Sequence, residues 1–211
     1  MELLVKLTMR AKDMFLKNEK YLSFLLIIIF LLFSYKISFA TDDKSEAVSY
    51  LSSIKNFSAS FLQNDGENLS EGKVFVGKKR VRAEYFSPSK ILIILDENKA
   101  MYYNYELEED EFFNPKKTNA WFFYDIFRNP IFFEDSFMEI KNNELILEKK
   151  GVDTQEKTFL IKVYFEKNPL ILRGVEVLMN NELLKLSIYN HSYNEEFDSD
   201  FFKLISPKLL N

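Results

Sequence analysis

Cysteine is missing from this chain of 211 residues, and histidine and tryptophan occur once each. Without thiols there is no disulfide, no thiolate metal site and no cysteine nucleophile, so the fold rests on core packing alone. The same gap excludes a lipid carried on an N-terminal cysteine, so the chain is not itself a bacterial lipoprotein. The one histidine, His191, has no patterned partner for a catalytic triad or a metal site and reads as an ordinary strand-end or surface residue. Only five glycines are present, and none are spaced as a phosphate-cradling loop. The acidic run Glu106-Leu107-Glu108-Glu109-Asp110-Glu111 lacks the alternating Asp and Asn with Gly of a calcium loop and reads as a solvated hairpin turn. No carboxylate pair stands out for glycoside hydrolysis. The expectation is a binding protein rather than an enzyme, with no cofactor and no metal.

What is present begins with a leader. Lys6, Arg10, Lys12, Lys17 and Lys20 precede the run Tyr21 to Phe33, apolar except for Ser23, and the small residues Ser38 and Ala40 bracket Phe39. This is the pattern of a secretory signal peptide over residues 1–40, cleaved after Ala40, with Met9 and Met14 as alternative starts. The apolar run has 13 residues, short of the roughly 20 that a membrane-spanning helix needs. Cleavage leaves residues 41–211 as a single domain. It also removes six of the 28 Lys and Arg and three of the 32 Asp and Glu, leaving 22 against 29 and a net charge near −7. That balance argues against a nucleic-acid partner and against steady adhesion to anionic lipid. The basic stretch Lys78-Lys79-Arg80-Val81-Arg82 is short and reads as a solvated turn and strand face.

After the leader, Asp43 and Glu46 form a capping-box pair ahead of Ala47, Val48, Leu51 and Ile54, the stripe of a short amphipathic helix. The period then becomes two, with Phe57, Ala59 and Phe61 alternating with Ser58 and Ser60. Strand-like runs follow at 73–77, 81–86, 91–95, 101–105 and 111–114, and again at 144–147, 158–165, 170–178, 183–189 and near 201–205. Turn-forming residues such as Asp65-Gly66-Glu67-Asn68 and Asp96-Glu97-Asn98 separate them. About eleven strands and no repeat make a mainly β antiparallel fold with helices, and a sheet that long must curl.

One segment interrupts the meander. Trp121 to Phe133 holds seven aromatic residues among thirteen, behind Pro115 and the capping candidates Thr118 and Asn119. The pattern predicts one short helix, a turn at Pro130, then a second helical turn or a strand. It is too short to cross a bilayer and too aromatic for a surface loop, so it buries itself in a core, a partner or a ligand cavity.

Several stretches together resemble the periplasmic outer-membrane lipoprotein carriers, the LolA family. Ile54-x-x-Phe57-Ser58-Ala59-Ser60-Phe61-x-Gln63 after an N-terminal helix, Gly72-Lys73-Val74-Phe75-Val76 and Val81-Arg82-Ala83-Glu84-Tyr85 are similar to its opening strands. Tyr103 to Glu109 is similar to its tyrosine-acid-x-x-leucine-x-glutamine hairpin, with Glu109 in place of the glutamine. Asp200-Phe201-Phe202-Lys203-Leu204-Ile205-Ser206-Pro207 resembles its closing strand. The family's arginine-proline pair falls here on Gly77 and Lys78, so a latch for the lid would pass to Arg80 or Arg82. The likeness covers nearly all of residues 44–207.

The resemblance implies an unclosed antiparallel half-barrel of about eleven strands, covered by short lid helices. Its cavity would be lined by Phe61, Phe75, Val81, Ala83, Tyr85, Leu92, Ile94 and Tyr102, and its lid formed by Trp121, Phe123, Tyr124, Ile126, Phe127, Phe132 and Phe133. The implied function is a monomeric periplasmic chaperone that takes the acyl chains of lipoproteins from an ATP-driven inner-membrane release complex to an outer-membrane receptor. The alternative is an envelope-stress sensor, or another periplasmic binder of lipids or hydrophobic ligands, on the same fold.

Overall fold

In a computed structural model of the protein, residues 42–153 and 156–209 are described; the expected signal peptide lies outside the described residues. The opening helix, α1 (Asp42–Ser53), starts one residue ahead of the Asp43 cap that the sequence suggests. Eleven strands follow: β1 (Phe57–Asn64), β2 (Leu69–Val76), β3 (Val81–Ser87), β4 (Ile91–Leu95), β5 (Ala100–Asn104), β6 (Glu109–Phe113), β7 (Phe137–Lys141), β8 (Glu144–Val152), β9 (Thr158–Glu166), β10 (Ile171–Met179) and β11 (Glu182–Ser192). They form one antiparallel sheet in the order β6-β5-β4-β3-β2-β1-β11-β10-β9-β8-β7, which is not closed into a barrel. Two hairpin meanders therefore meet at the central β1–β11 pair, where Phe61 lies opposite Ile188. The edges are β6 and β7, and charged residues such as Glu109, Asp110 and Glu111 on β6 discourage pairing with another chain.

The two faces of the sheet are read from the register. Phe61 on β1 lies opposite Gly72, Val74 lies opposite Ala83, and Ala83 opposite Ile93, so these side chains share an inner face. Phe75, Arg82, Ile94 and Met101 follow one another across the same strands on the outer face. The inner face carries the main core, in which Leu51 of α1 and Ile54 just past it pack with Phe57, Phe61, Phe165 and Leu172 of the sheet. Gly72 is required there: a Cβ at this position would collide with the Phe61 ring and with the carbonyl oxygen of Glu84.

The outer face has a smaller core of its own. The chain beyond β11 leaves the sheet and runs back across that face as a strap. Ser58 Oγ donates to the Glu195 carboxylate at 2.5 Å, and Phe75 meets Phe197 at 6.0 Å and Phe201 at 4.9 Å, both edge to face. Arg82 donates to the Phe201 carbonyl at 2.6 Å, and its guanidinium lies 4.3 Å from the Phe201 ring centre. Leu204 covers the buried set Leu92, Ile94, Met101 and Tyr103, and Ser206 reaches Asp110 of β6 at 3.2 Å.

One expectation is corrected by this strap. Residues 201–205 are not a strand, because the strand neighbours of β1 are already β2 and β11, and the aromatic pattern serves side-chain packing instead. The eleventh strand is Phe137–Lys141. Replacing Phe201 with serine is expected to cost about 2 kcal/mol, since large-to-small aromatic changes in cores cost about 3–5 kcal/mol and this residue is only partly buried. Urea unfolding measures it; a change below about 0.5 kcal/mol would mean that the strap adds nothing to stability.

His191, near the end of β11, is structural. Its Nε2 lies 2.6 Å from the Leu172 carbonyl oxygen and its ring 5.8 Å from Phe57. Burial lowers its pKa below the ordinary value of 6.5. Protonation is then easier in the unfolded chain, so the contribution of His191 is full above about pH 6.5 and is lost as pH falls below it. Chemical unfolding between pH 8 and 5 should show that decline, and His191→Gln should flatten it; an equal slope in the variant would assign it elsewhere.

Candidate apolar binding site

The topology decides where the aromatic segment goes. It connects β6 to β7, the two open edges of the sheet, so the chain must cross the gap between them over the inner face. A 3-10 turn, Pro115–Lys117, starts the crossing, with Asn114 Oδ1 accepting from the Lys116 amide at 2.9 Å. Thr118 Oγ1 then accepts from the amide of Ala120 at 3.2 Å, just before α2 (Trp121–Arg128). A second 3-10 turn, Pro130–Phe133, completes the crossing, as the break at Pro130 predicts. The apolar stripe of α2 buries Phe122, Ile126 and Phe127 against the sheet.

Between α2 and the inner face is a cavity of about 520 Å³. Phe61, Val74, Val81, Ala83, Tyr85, Ile93 and Leu95 form one wall from the first meander, and Val175, Val177, Met179, Leu184, Leu186 and Ile188 form the other from the second. Phe123, Phe127 and Ala120 close it from the side of α2, while Gln63, Asp65, Glu67, Asn119 and Glu182 supply its polar lining. Tyr85 keeps its hydroxyl satisfied by donating to Gln63 Oε1 at 2.9 Å, and burial pushes its pKa up to about 12, so it stays neutral. Phe61 stands edge to face with Tyr85 at 5.0 Å. The arrangement offers shape and apolar surface.

Of the wall residues expected from sequence, Phe61, Val81, Ala83 and Tyr85 line this cavity. Phe75, Leu92 and Ile94 do not: they point to the outer face, where the strap buries them. Tyr102 shares the register position of Ile93 on the inner face but lies outside the cavity lining. Among the expected lid residues, Phe123 and Phe127 face the cavity, and Ile126 and Phe133 are fully buried in the core. Trp121, Tyr124 and Phe132 line a second, smaller pocket instead. The wall from β10 and β11 is absent from the sequence expectation, although the alternation in Val175-Glu176-Val177 carries the signal.

The expected latch is also corrected. Arg80 pairs with Asp96 at 2.6 Å and donates to the Phe202 carbonyl at 2.9 Å. Arg82 holds Glu84 and Phe201. Both face outward and hold the strap, not the lid. The residue that ties α2 down is Arg128, in its last turn, which donates to the carbonyl of Ile54 just past α1, and to that of Lys78 at 3.4 Å. At the other end of α1, Lys44 Nζ donates to the carbonyls of Glu134 and Ser136 at 2.5 and 2.7 Å. α1 is thus tied at one end to α2 and at the other to the chain that follows the second 3-10 turn. The signal for Arg128 is a lone cation closing an otherwise aromatic helix, close to carbonyls left open at the end of another.

An unclosed antiparallel sheet whose inner face is covered by helices over an apolar cavity defines a protein that binds hydrophobic ligands. The family model of the outer membrane lipoprotein carrier protein LolA matches residues 52–205, and the chain belongs to that family. An uncharacterized protein of Rickettsia prowazekii (strain Madrid E) is 24% identical in an alignment 203 residues long that covers 91% of each chain. A crystal structure of an uncharacterized conserved protein from Thermus thermophilus matches at a TM-score of 0.51 with 10% identity, covering 80% of this chain and 96% of that one. A LolA superfamily protein from Nitrosomonas europaea matches at 0.44 with 10% identity, covering 76% and 96%. Members of the family are binding and carrier proteins of the periplasm. Among the described residues, no helix is long and apolar enough to cross a membrane.

Proposed function

We propose that this protein is a periplasmic carrier that shelters the acyl chains of lipoproteins in the cavity beneath α2. It receives them from an ATP-driven complex in the inner membrane and passes them to an outer-membrane receptor, working as a monomer after removal of residues 1–40. The observation that carries this reading is the 520 Å³ cavity with two apolar walls and an aromatic cover. Its size falls within the roughly 300–1,000 Å³ of ligand sites. A methylene fills about as much room as a water molecule, ~30 Å³, so a chain of about 15 carbons needs about 450 Å³. The closed cavity therefore suits one chain, and a lipoprotein with three chains requires α2 to move aside.

The energetics favour a loose grip. Three such chains at ~0.8 kcal/mol per methylene amount to roughly 35 kcal/mol of gross burial, beyond what any reversible complex displays. A membrane offers the same burial, so the carrier needs only near-parity with lipid. Rings that pack without directional bonds, such as Phe123 and Phe127, suit variable chains in that role. The test is release: inner-membrane vesicles supplied with ATP and the purified protein should yield a soluble complex of carrier and lipoprotein. Lipoprotein that stays in the vesicles while the carrier is folded would contradict the carrier role.

A further inference from the structure

We propose that the pocket on the far side of α2 binds an alkylammonium cation. This pocket, of about 270 Å³, is lined by Trp121, Tyr124, Phe132 and Phe159 together with Glu97, Asp125 and Asp153. Three of the rings already form a cluster: Trp121 stands 5.7 Å from Phe132 and 5.5 Å from Phe159, and Phe132 lies 6.2 Å from Phe159. Aromatic faces attract cations through the ring quadrupole, most strongly where water is excluded. The protein uses that attraction next door, where Lys149 Nζ sits 5.6 Å from the centre of the Phe132 ring.

Charge points the same way. Three carboxylates line the pocket against one cation, Lys116, which pairs with Glu97 at 3.4 Å. Asp125 is half-buried and desolvation raises its pKa, although a hydrogen bond with Asn129 and the charge of Lys116 act to lower it. A carboxylate held in that position lacks a fully compensating positive charge, which a bound cation supplies. The hydrogen-bonding capacity is limited, since Asp153 Oδ1 already accepts from the Lys157 amide at 2.8 Å. A cation rich in methyl groups and poor in donors fits this lining better than a guanidinium, whose five N–H groups would need partners. The pocket is separated from the larger cavity by α2 itself, so the proposal stands or falls independently of acyl binding.

Trp121 is the only tryptophan of the chain, so its fluorescence reports on this pocket directly. Choline is expected to shift the Trp121 emission saturably, and 3,3-dimethylbutan-1-ol, of the same shape without the charge, to bind at least about tenfold more weakly. Asp125→Asn and Glu97→Gln should each weaken choline about fivefold, by removing attraction at short range. Glycerophosphocholine, tested in parallel, separates a lipid headgroup from a free solute as the source: binding by either supports the site, and the tighter of the two names it. No saturable shift with either compound would overturn the proposal. Equal binding of the neutral alcohol would do so too, as would unchanged choline affinity in both folded variants.

Discussion

Replacing Ala83 with phenylalanine is expected to weaken acyl binding sharply while leaving the protein folded. Ala83 sits in the middle of β3 on the inner face, opposite Val74 and Ile93, and lines the larger cavity. A ring added there projects into open space rather than into packed atoms, so the usual penalty of about 1–3 kcal/mol for overfilling a core is avoided. It takes the room of several methylenes of the ligand. Losing burial for three or more of them, at ~0.8 kcal/mol each, lowers affinity by about fiftyfold or more. Titration with a fluorescent acyl probe, alongside a thermal melt, measures both halves of the expectation. Unchanged affinity in the folded variant would place the ligand elsewhere. Phe123→Asp attacks the same site from the side of α2 and should also weaken the probe, because a carboxylate facing an apolar chain must be desolvated.

The second large effect is expected at Arg128. Its guanidinium joins α2 to the carbonyls of Ile54 and Lys78, and hydrogen bonds from charged donors contribute about 1.5–3 kcal/mol each. Part of this is offset. Burial lowers its pKa from the ordinary value, and its Nε is buried with no partner among the described residues. Arg128→Met keeps most of the aliphatic stem and removes the tie. The net loss of about 2 kcal/mol falls on the closed arrangement of α2, which corresponds to about a thirtyfold faster dissociation of a bound acyl probe. Stopped-flow displacement gives that rate. A rate equal to that of the unaltered protein would show that Arg128 holds nothing that must open. Arg80→Met serves as the contrast: it loosens the strap on the outer face and should leave the dissociation rate unchanged.

The contrast between Arg80 and Arg128 shows where sequence reading succeeds and where it stops. Strand alternation is legible where one face is buried and the other wet, as in Thr158–Glu166, whose buried and partly exposed residues alternate along its length. It fails to orient Ile91–Leu95, because both faces are covered, one by the main core and one by the strap. Leu92 and Ile94 are as apolar as Ile93, and only the register separates them. The segment near Phe201 reads as a strand for a similar reason: clustered aromatics mark burial without saying whether backbone or side chains make the contact. The aromatic segment is legible as a cover, since nothing else in the chain needs so many rings. What it cannot reveal alone is that its two sides serve different pockets, which depends on the sheet edges it bridges. Arg128 was hidden by the same segment, its charge outnumbered by seven rings.

The most direct test of the binding site is to map where an acyl chain touches the protein. A fatty acyl probe carrying a photoreactive diazirine near its end, bound to the purified protein and activated by light, labels the residues beside it, and mass spectrometry of the digested protein locates the label. Acyl binding beneath α2 predicts saturable labelling within Phe61, Tyr85, Phe123, Val177 and Leu184, competed away by unlabelled chain and lost in Ala83→Phe. Labelling confined to the outer face, at Leu92, Tyr103 or Leu204, or labelling that never saturates, would contradict it.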